Sequence, residues 1–316
     1  MEQRTMDIVI PVYNEEQSLF ANISEIHRTL SSGEHCSPFT QSGSHRFVLV
    51  DDGSRDNTWA EIVRLREALG EDLVTGIGLS RNFGKESALC AGLEAVTADL
   101  CVVMDSDLQH PPEMIPQMVA KHLEGYNVVE CVKSSRGKES IFSKAAAKLF
   151  YSLMNRFSGF SMDNASDFKL LDASAVAAWR EVGDTNTFFR GMVEWIGFTK
   201  AQLPFEVQER SGGKTKFSTL RLVRLALHSL VSFSAAPLYL TMGLGVVFLL
   251  GALVLGAQTL YNKFAGIALD GFSTVILLLL IVGGAILFCL GIIGVYISKI
   301  YDEVKKRPRY IVKERV

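Results

Sequence analysis

The chain has 316 residues and a formal net charge of −2, its 32 Lys and Arg nearly balanced by 34 Asp and Glu. No nucleic-acid partner is expected, and this length with a near-neutral charge allows one folded domain with a sizeable core plus a further segment. Cys36, Cys90, Cys101, Cys131 and Cys289 show no paired spacing, no CxxC and no accompanying histidine cluster, which reads as reduced thiols in a cytosolic domain. The N-terminus lacks a basic region followed by a long apolar stretch, which argues against a cleaved signal peptide.

In chain order, residues 7–13 (DIVIPVY) read as a first strand and Asn14-Glu15-Glu16 as the opening of a helix to about Leu30. The turn between them can present Tyr13 and Glu15 to a nucleotide base, or be a plain helix start with acids near the positive end of its dipole. Residues 31–45 are polar and aperiodic, a loop. Residues 46–50 form a second strand ending in Asp51-Asp52-Gly53-Ser54, with a helix from Asp56 through Leu69. A third strand, 74–79, leads through Ser80-Arg81-Asn82-Phe83-Gly84-Lys85-Glu86 into a helix reaching Val96.

The fourth strand, 100–104, ends in Asp105-Ser106-Asp107-Leu108-Gln109, and residues 127–132 make a fifth after a helix beginning near Pro112. Two aspartates one residue apart, with an amide oxygen two positions on, offer hard oxygen ligands to Mg²⁺ or Mn²⁺ and leave room for substrate phosphates. The same residues also fit a solvated acidic turn capping the next helix. Strands alternating with helices imply an α/β fold, a mostly parallel sheet with right-handed crossovers. Several strand ends then line one sheet edge with acidic and polar residues, a candidate nucleotide site. No strand is followed by G-x-G-x-x-G, and Gln208 stands where a phosphate-binding loop ending in Gly213-Lys214-Thr215 needs its first glycine.

IPVYNEE, VDDGSRDNT, LSRNFGKESAL, DSDLQHPPE, DFKLLD and ERSGGKTKF, followed by two apolar spans, resemble glycosyltransferase family 2 along nearly the whole chain. Within it the chain is similar to polyprenyl-phosphate glycosyltransferases of the bactoprenol glucosyltransferase and dolichol-phosphate mannose synthase type. The resemblance implies a GT-A (Rossmann-like) domain over residues 1–213, a nucleotide-sugar donor, a polyprenyl phosphate acceptor, Mg²⁺ or Mn²⁺, and a homo-oligomer, a tetramer in the family's manner. Carried over by position, Pro11, Tyr13, Glu15, Asp52 and Lys85 line the nucleotide-sugar pocket, and Asp105, Asp107 and Gln109 hold the metal. Lys133 and Arg136 stand where the family has two phosphate-handling arginines; the lysine supplies a point charge without the bidentate fork. Arg210, Gly213, Thr215 and Lys216 match the segment associated with phosphates and acceptor. Val295 replaces a glutamate the family carries near the second span. Asp167 is the family's candidate base; a phosphate acceptor needs little deprotonation, so its expected role is to position acceptor or sugar, with a helix cap or ion-pair partner as the other reading.

Residues 140–157 and 217–233 each place apolar side chains at helical spacing among Lys and Arg. Either can lie on a membrane surface, and 140–157 can equally pack on its own domain; residues 214–237 are assigned as the interfacial segment. Residues 238–261 and 272–297 are apolar enough to cross a bilayer of about 30 Å. Basic residues precede the first span and Lys299, Lys305, Lys306, Arg307 and Arg309 follow the second. This predicts a multi-pass protein of the cell (inner) membrane with both ends in the cytoplasm and a basic tail from 298 to 316. Small residues in the spans suit close helix packing, between protomers or within one hairpin.

The expected activity is inverting transfer of one sugar, glucose from UDP-glucose foremost, onto polyprenyl (undecaprenyl) phosphate at the cytoplasmic face. GDP-mannose is the alternative donor. A processive polysaccharide synthase would carry Q-x-x-R-W and more spans, and a tethered nucleotide-sugar-binding subunit would share the pocket without turnover.

Overall fold

The structure, a computed structural model, describes residues 5–32, 45–133, 166–182, 189–205, 236–265 and 272–316. The amphipathic segments 140–157 and 217–233, most of the 31–45 loop, and Arg136, Arg210, Gly213, Thr215 and Lys216 lie outside the described residues. The described chain forms two compact units, one holding the residues up to Phe205 together with Pro308–Val316, the other the two C-terminal helices through Arg307.

The first unit is built on eight strands: β1 (Met6–Val12), β2 (His45–Asp51), β3 (Val74–Leu79), β4 (Leu100–Val103), β5 (Val128–Lys133), β6 (Lys169–Asp172), β7 (Lys200–Phe205) and β8 (Val312–Arg315). Its helices are α1 (Leu19–Ser31), α2 (Thr58–Leu69), α3 (Lys85–Ala95), α4 (Ile115–Leu123), α5 (Ala173–Glu181) and α6 (Phe189–Trp195). The sheet order is β7-β5-β6-β4-β1-β2-β3-β8. Pairs β1–β2, β1–β4, β2–β3 and β5–β7 are parallel; β6 runs antiparallel to β4 and β5, and β8 antiparallel to β3. The expected mostly parallel GT-A sheet is present, with two antiparallel members that periodicity did not announce.

β1 is buried along both faces because helices cover both sides of the sheet. Ile8 and Ile10 join the Leu19–Ile23–Ile26–Leu30 stripe of α1 with α2 and α4 in one core; Val9, Val48 and Val50 join α3, α5 and α6 in the other. α3 lies close to the sheet because Gly92 has no side chain: a Cβ there would come within 2.3 Å of Val9 Cγ1. The chain steps outward from β1 to β2 and β3, then returns to the other side of β1 with β4. That reversal opens a crevice at the carboxyl ends of β1 and β4, where open α/β sheets bind ligands.

The first helix begins at Leu19, later than its sequence suggests. Asn14 and Glu15 are committed to the β2–α2 connection and the first residue of α2 instead: Glu15 N–H donates to Thr58 Oγ1 (2.8 Å), Asn14 N–H to Ser54 Oγ (2.9 Å), and Arg55 N–H to Asn14 Oδ1 (2.9 Å). Asn14 takes φ +54° to do this, a left-handed conformation that Asn tolerates.

Of the basic tail expected from 298, residues up to Val304 continue the last helix, while Pro308–Val316 belongs to the first unit. There β8 pairs with β3, Val316 and Gly76 exchange N–H···O bonds at 2.9 and 3.0 Å, and Tyr310 Oη hydrogen-bonds the Glu94 carboxylate. In the second unit, α7 (Ala236–Phe264) and α8 (Phe272–Val304) contain apolar windows, Thr241–Gln258 and Ile281–Val304, long enough to cross a membrane.

Candidate active site

Four strand ends and one strand start converge on the crevice. Parallel β1, β2 and β4 deliver Tyr13 and Glu15, Asp52, and Asp105 and Asp107 at their carboxyl ends, and the loop after β3 leads into Lys85, the first residue of α3. β6 is antiparallel, so its amino end reaches the same edge and brings Asp167 and Phe168 with it. A cavity of about 310 Å³ is lined by Pro11, Val12, Tyr13, Glu15, Asp52, Asn82, Gly84, Lys85, Asp105, Ser106 and Asp107. Seven of the residues singled out from sequence, Pro11, Tyr13, Glu15, Asp52, Lys85, Asp105 and Asp107, thus share one cavity.

The cavity wall is tied together across loops. Glu15 Oε2 accepts from Ser106 Oγ, linking the β1 and β4 ends, and Asn22 Nδ2 donates to Ser106 O at 2.8 Å. Burial lifts the Glu15 carboxyl above its ordinary range, and the nearby Asp107 and Asp105 add to this against the Ser106 hydrogen bond. Asp52 accepts the backbone N–H groups of Phe83 (2.7 Å) and Gly84 (2.9 Å), fixing the loop that carries Lys85; burial raises its pKa against those bonds. Gly53 makes this possible, since at φ +66° a Cβ would sit 2.3 Å from the Arg81 carbonyl carbon.

Lys85 Nζ donates to Asp105 Oδ1 at 2.5 Å and to Asp167 Oδ2 at 2.8 Å. Asp167 also receives Arg190 side-on, Nε to Oδ1 at 2.7 Å and an Nη to Oδ2 at 2.9 Å. Burial by itself would raise the Asp167 carboxyl, but the Arg190 bonds and charge, with Lys85 behind them, hold it well below the usual carboxylate range. Lys85 is likewise opposed by burial, and the Asp105 and Asp167 charges outweigh this to raise its pKa.

Several of these partners were not singled out from sequence. His110 Nδ1 accepts the Asp105 N–H at 2.9 Å and its ring stacks on Phe168 (4.9 Å between centroids), so burial keeps it neutral with its proton on Nε2. The loop between them is strained at Leu108, φ +58°, which is unusual for a branched residue. Glu86 Oε2 accepts the Phe189 N–H at the start of α6 (2.7 Å), and burial pushes its carboxyl up to about 7. Beneath Asp167, the fully buried Glu130–Lys169 ion pair holds the turn, Ser166 N–H donating to Glu130 Oε1 at 3.0 Å. The available signals are His110 within DSDLQHPPE and Glu86 within LSRNFGKESAL; Arg190 and Glu130 carry no local pattern.

Asp105 and Asp107 are hard oxygen donors lining one cavity, and one or two carboxylates are the usual protein share of a Mg²⁺ or Mn²⁺ site that substrate phosphates complete. The residues therefore fit such an ion. Gln109 is not among the lining residues; its N–H donates to Asp107 Oδ1 at 3.1 Å. Lys133 closes β5 at the same sheet edge, because β5 and β4 run in the same direction.

A family model for glycosyl transferase family 2 matches residues 7–187. The chain belongs to glycosyl transferase family 2. Among its relatives, an uncharacterized glycosyltransferase, YkcC, of Bacillus subtilis is 35% identical over 97% of this chain and 93% of its own length. A prophage bactoprenol glucosyl transferase homolog of Escherichia coli K12 is 33% identical, covering 98% of each chain. The bactoprenol glucosyl transferase of Shigella phage SfX is 32% identical over 98% of this chain and 99% of its own. A crystal structure of Mycobacterium tuberculosis glucosyl-3-phosphoglycerate synthase with Mn²⁺, UDP and phosphoglyceric acid superposes with a TM-score of 0.50 at 18% identity, covering 72% of this chain and 78% of that one. The family member described here shares that GT-A fold.

Proposed function

We propose that this glycosyl transferase moves one sugar, glucose from UDP-glucose, onto a polyprenyl phosphate, with inversion at the anomeric carbon. The observation that carries the reading is the single cavity in which Glu15, Asp52, Lys85, Asp105 and Asp107 converge at the β1–β4 crevice. Full-length similarity to proteins named bactoprenol glucosyl transferase supports the acceptor class and the sugar. Two apolar helices support a membrane-bound enzyme working on a lipid. Basic residues outside both spans support a cytoplasmic catalytic face.

In this mechanism the acceptor is a phosphate monoester, already largely dianionic at neutral pH because its second pKa is about 6. A phosphate oxygen attacks the anomeric carbon, the bond to the donor diphosphate breaks, and its electron pair leaves with the nucleotide. Asp105 and Asp107 would hold a divalent cation, which as a Lewis acid offsets charge developing on the departing diphosphate. Lys85 places an ammonium beside that charge, and Arg136, Arg210, Lys216 and Lys133 are assigned to the diphosphate and acceptor phosphate. Tyr13, exposed at the rim, offers its ring to the base, and Pro11 and Asp52 complete the nucleotide side. Asp167, kept ionised by Arg190 and Lys85, is a poor base and a good hydrogen-bond acceptor for sugar hydroxyls.

The test is transfer from radiolabelled UDP- and GDP-sugars to undecaprenyl phosphate by the purified full chain, with Mg²⁺, Mn²⁺ or chelator, alongside Asp107→Ala. Lipid-linked sugar from UDP-glucose, lost with chelator and with the substitution, is the expected result. Transfer only from GDP-mannose would reassign the donor, and nucleotide binding without transfer from any donor would reject the enzymatic reading.

A further inference from the structure

Lys85 is the first residue of α3, and its ammonium bridges Asp105 and Asp167. The two carboxylates are not equivalent. Asp167 keeps a second cation, Arg190, across both of its oxygens. Asp105 relies on Lys85 for its cationic contact among the described residues, the neutral His110 ring standing 4.0 Å away. A divalent ion would bond carboxylate oxygens at about 2.1 Å. An ammonium 2.5 Å from Asp105 Oδ1 therefore occupies that oxygen, and a divalent ion and an ammonium sharing the carboxylate would repel each other strongly inside a cavity. The Lys85 side chain is unbranched and 40% exposed, so it can leave the bridge without moving α3.

We propose that Lys85 is the resident counter-cation of the donor site, holding Asp105 while no nucleotide is bound and yielding that carboxylate to the divalent ion when the donor enters. Its ammonium then passes to the donor's diphosphate. Asp167 does not depend on the exchange, because Arg190 holds it throughout. An ion arriving alone must displace an ammonium that has nowhere better to go; an ion arriving with a diphosphate gives Lys85 a new anion. Metal and nucleotide binding thereby reinforce each other, and the coupling is reciprocal. The inference rests on the reading of Asp105 and Asp107 as the metal-holding pair.

The experiment is Mn²⁺ binding to the full chain in detergent, followed by electron paramagnetic resonance of the free ion, with and without UDP, for the native protein, Lys85→Met and Asp105→Asn. Without UDP, Lys85→Met is expected to bind Mn²⁺ at least ten-fold more tightly than the native protein, and Asp105→Asn to lose binding. UDP is expected to tighten Mn²⁺ binding by a larger factor in the native protein than in Lys85→Met. Equal or weaker binding by Lys85→Met without UDP overturns the exchange and leaves the metal pair standing; absence of Mn²⁺ binding to every form, with UDP included, overturns both. A second measurement needs no variant. Mass spectrometry of limiting acetic anhydride labelling should show Lys85 of the native protein reacting several-fold faster at a Mn²⁺ concentration high enough to occupy Asp105 without a donor, while the exposed Lys313 does not change. An unchanged Lys85 rate overturns the proposal.

Discussion

Glu86→Gln tests the electrostatics behind the active site. Glu86 is partly buried; burial and the Asp167 charge raise its carboxyl, the Phe189 N–H, Arg190 and Lys85 oppose them, and the balance is a pKa of about 7 against an ordinary 4.5. A folded-state pKa above the unfolded one means the folded protein binds the extra proton. This contribution to stability is therefore complete below about pH 4.5 and is lost as pH rises through about 7. At about 1.4 kcal/mol per pH unit, the interval corresponds to roughly 3 kcal/mol for a fully shielded carboxyl and about half that with water at its edge. Glutamine cannot ionise, yet its amide oxygen still accepts the Phe189 N–H. The variant should match the native protein in thermal melting at pH 5 and exceed it by roughly 5 °C at pH 8.5, followed by tryptophan fluorescence in detergent. A difference that does not grow with pH, or a variant less stable than native at pH 8.5, would refute the reasoning.

His110→Phe keeps the stack on Phe168 and removes the acceptor of the Asp105 N–H; Mn²⁺ affinity in the presence of UDP should fall about ten-fold, as for other residues that orient a ligand, and titration calorimetry checks it. Gly53→Ala forces an alanine to φ +66° against the Arg81 backbone; the strain of about 1–2 kcal/mol or more should appear as a lowered melting temperature and weaker UDP binding, and an unperturbed variant would mean the Asp52 loop is free to shift. Ending the chain after Arg307 removes β8, including the Val316–Gly76 pair and the Ser80 N–H bond to Ile311 O. At about 1 kcal/mol per bond, roughly 3 kcal/mol should be lost, and an unchanged melting temperature would show β8 to lie outside the cooperative unit.

The acidic strand ends were legible because their cause is local. Residues 8–12, 47–50 and 100–103 are short apolar runs, and a run buried on both faces in a parallel sheet must end where its polar residues begin. The sequence therefore places Tyr13, Glu15, Asp52, Asp105 and Asp107 at one sheet edge. The two apolar helices were legible for the same reason, since length and hydropathy need no partner to be read.

Other features depend on pairing between distant segments. Val-Lys-Glu-Arg at 312–315 is too charged to announce a strand; it is one because β3 offers an unpaired edge. Asp167 reaches the site because β6 is antiparallel, a choice made by its neighbours β4 and β5. Lys169 stands buried in that strand only because Glu130 comes from another. Arg190 and Glu86 become partners of the site when the start of α6 meets the start of α3, although 103 residues separate Glu86 from Phe189. The amino-acid sequence by itself determined which residues stand at strand ends and which helices are apolar, because those follow from periodicity and burial along one segment. Only the tertiary structure decided which charges meet, because an ion pair forms between groups brought together by strand order and helix packing, whose separation along the chain leaves no local pattern.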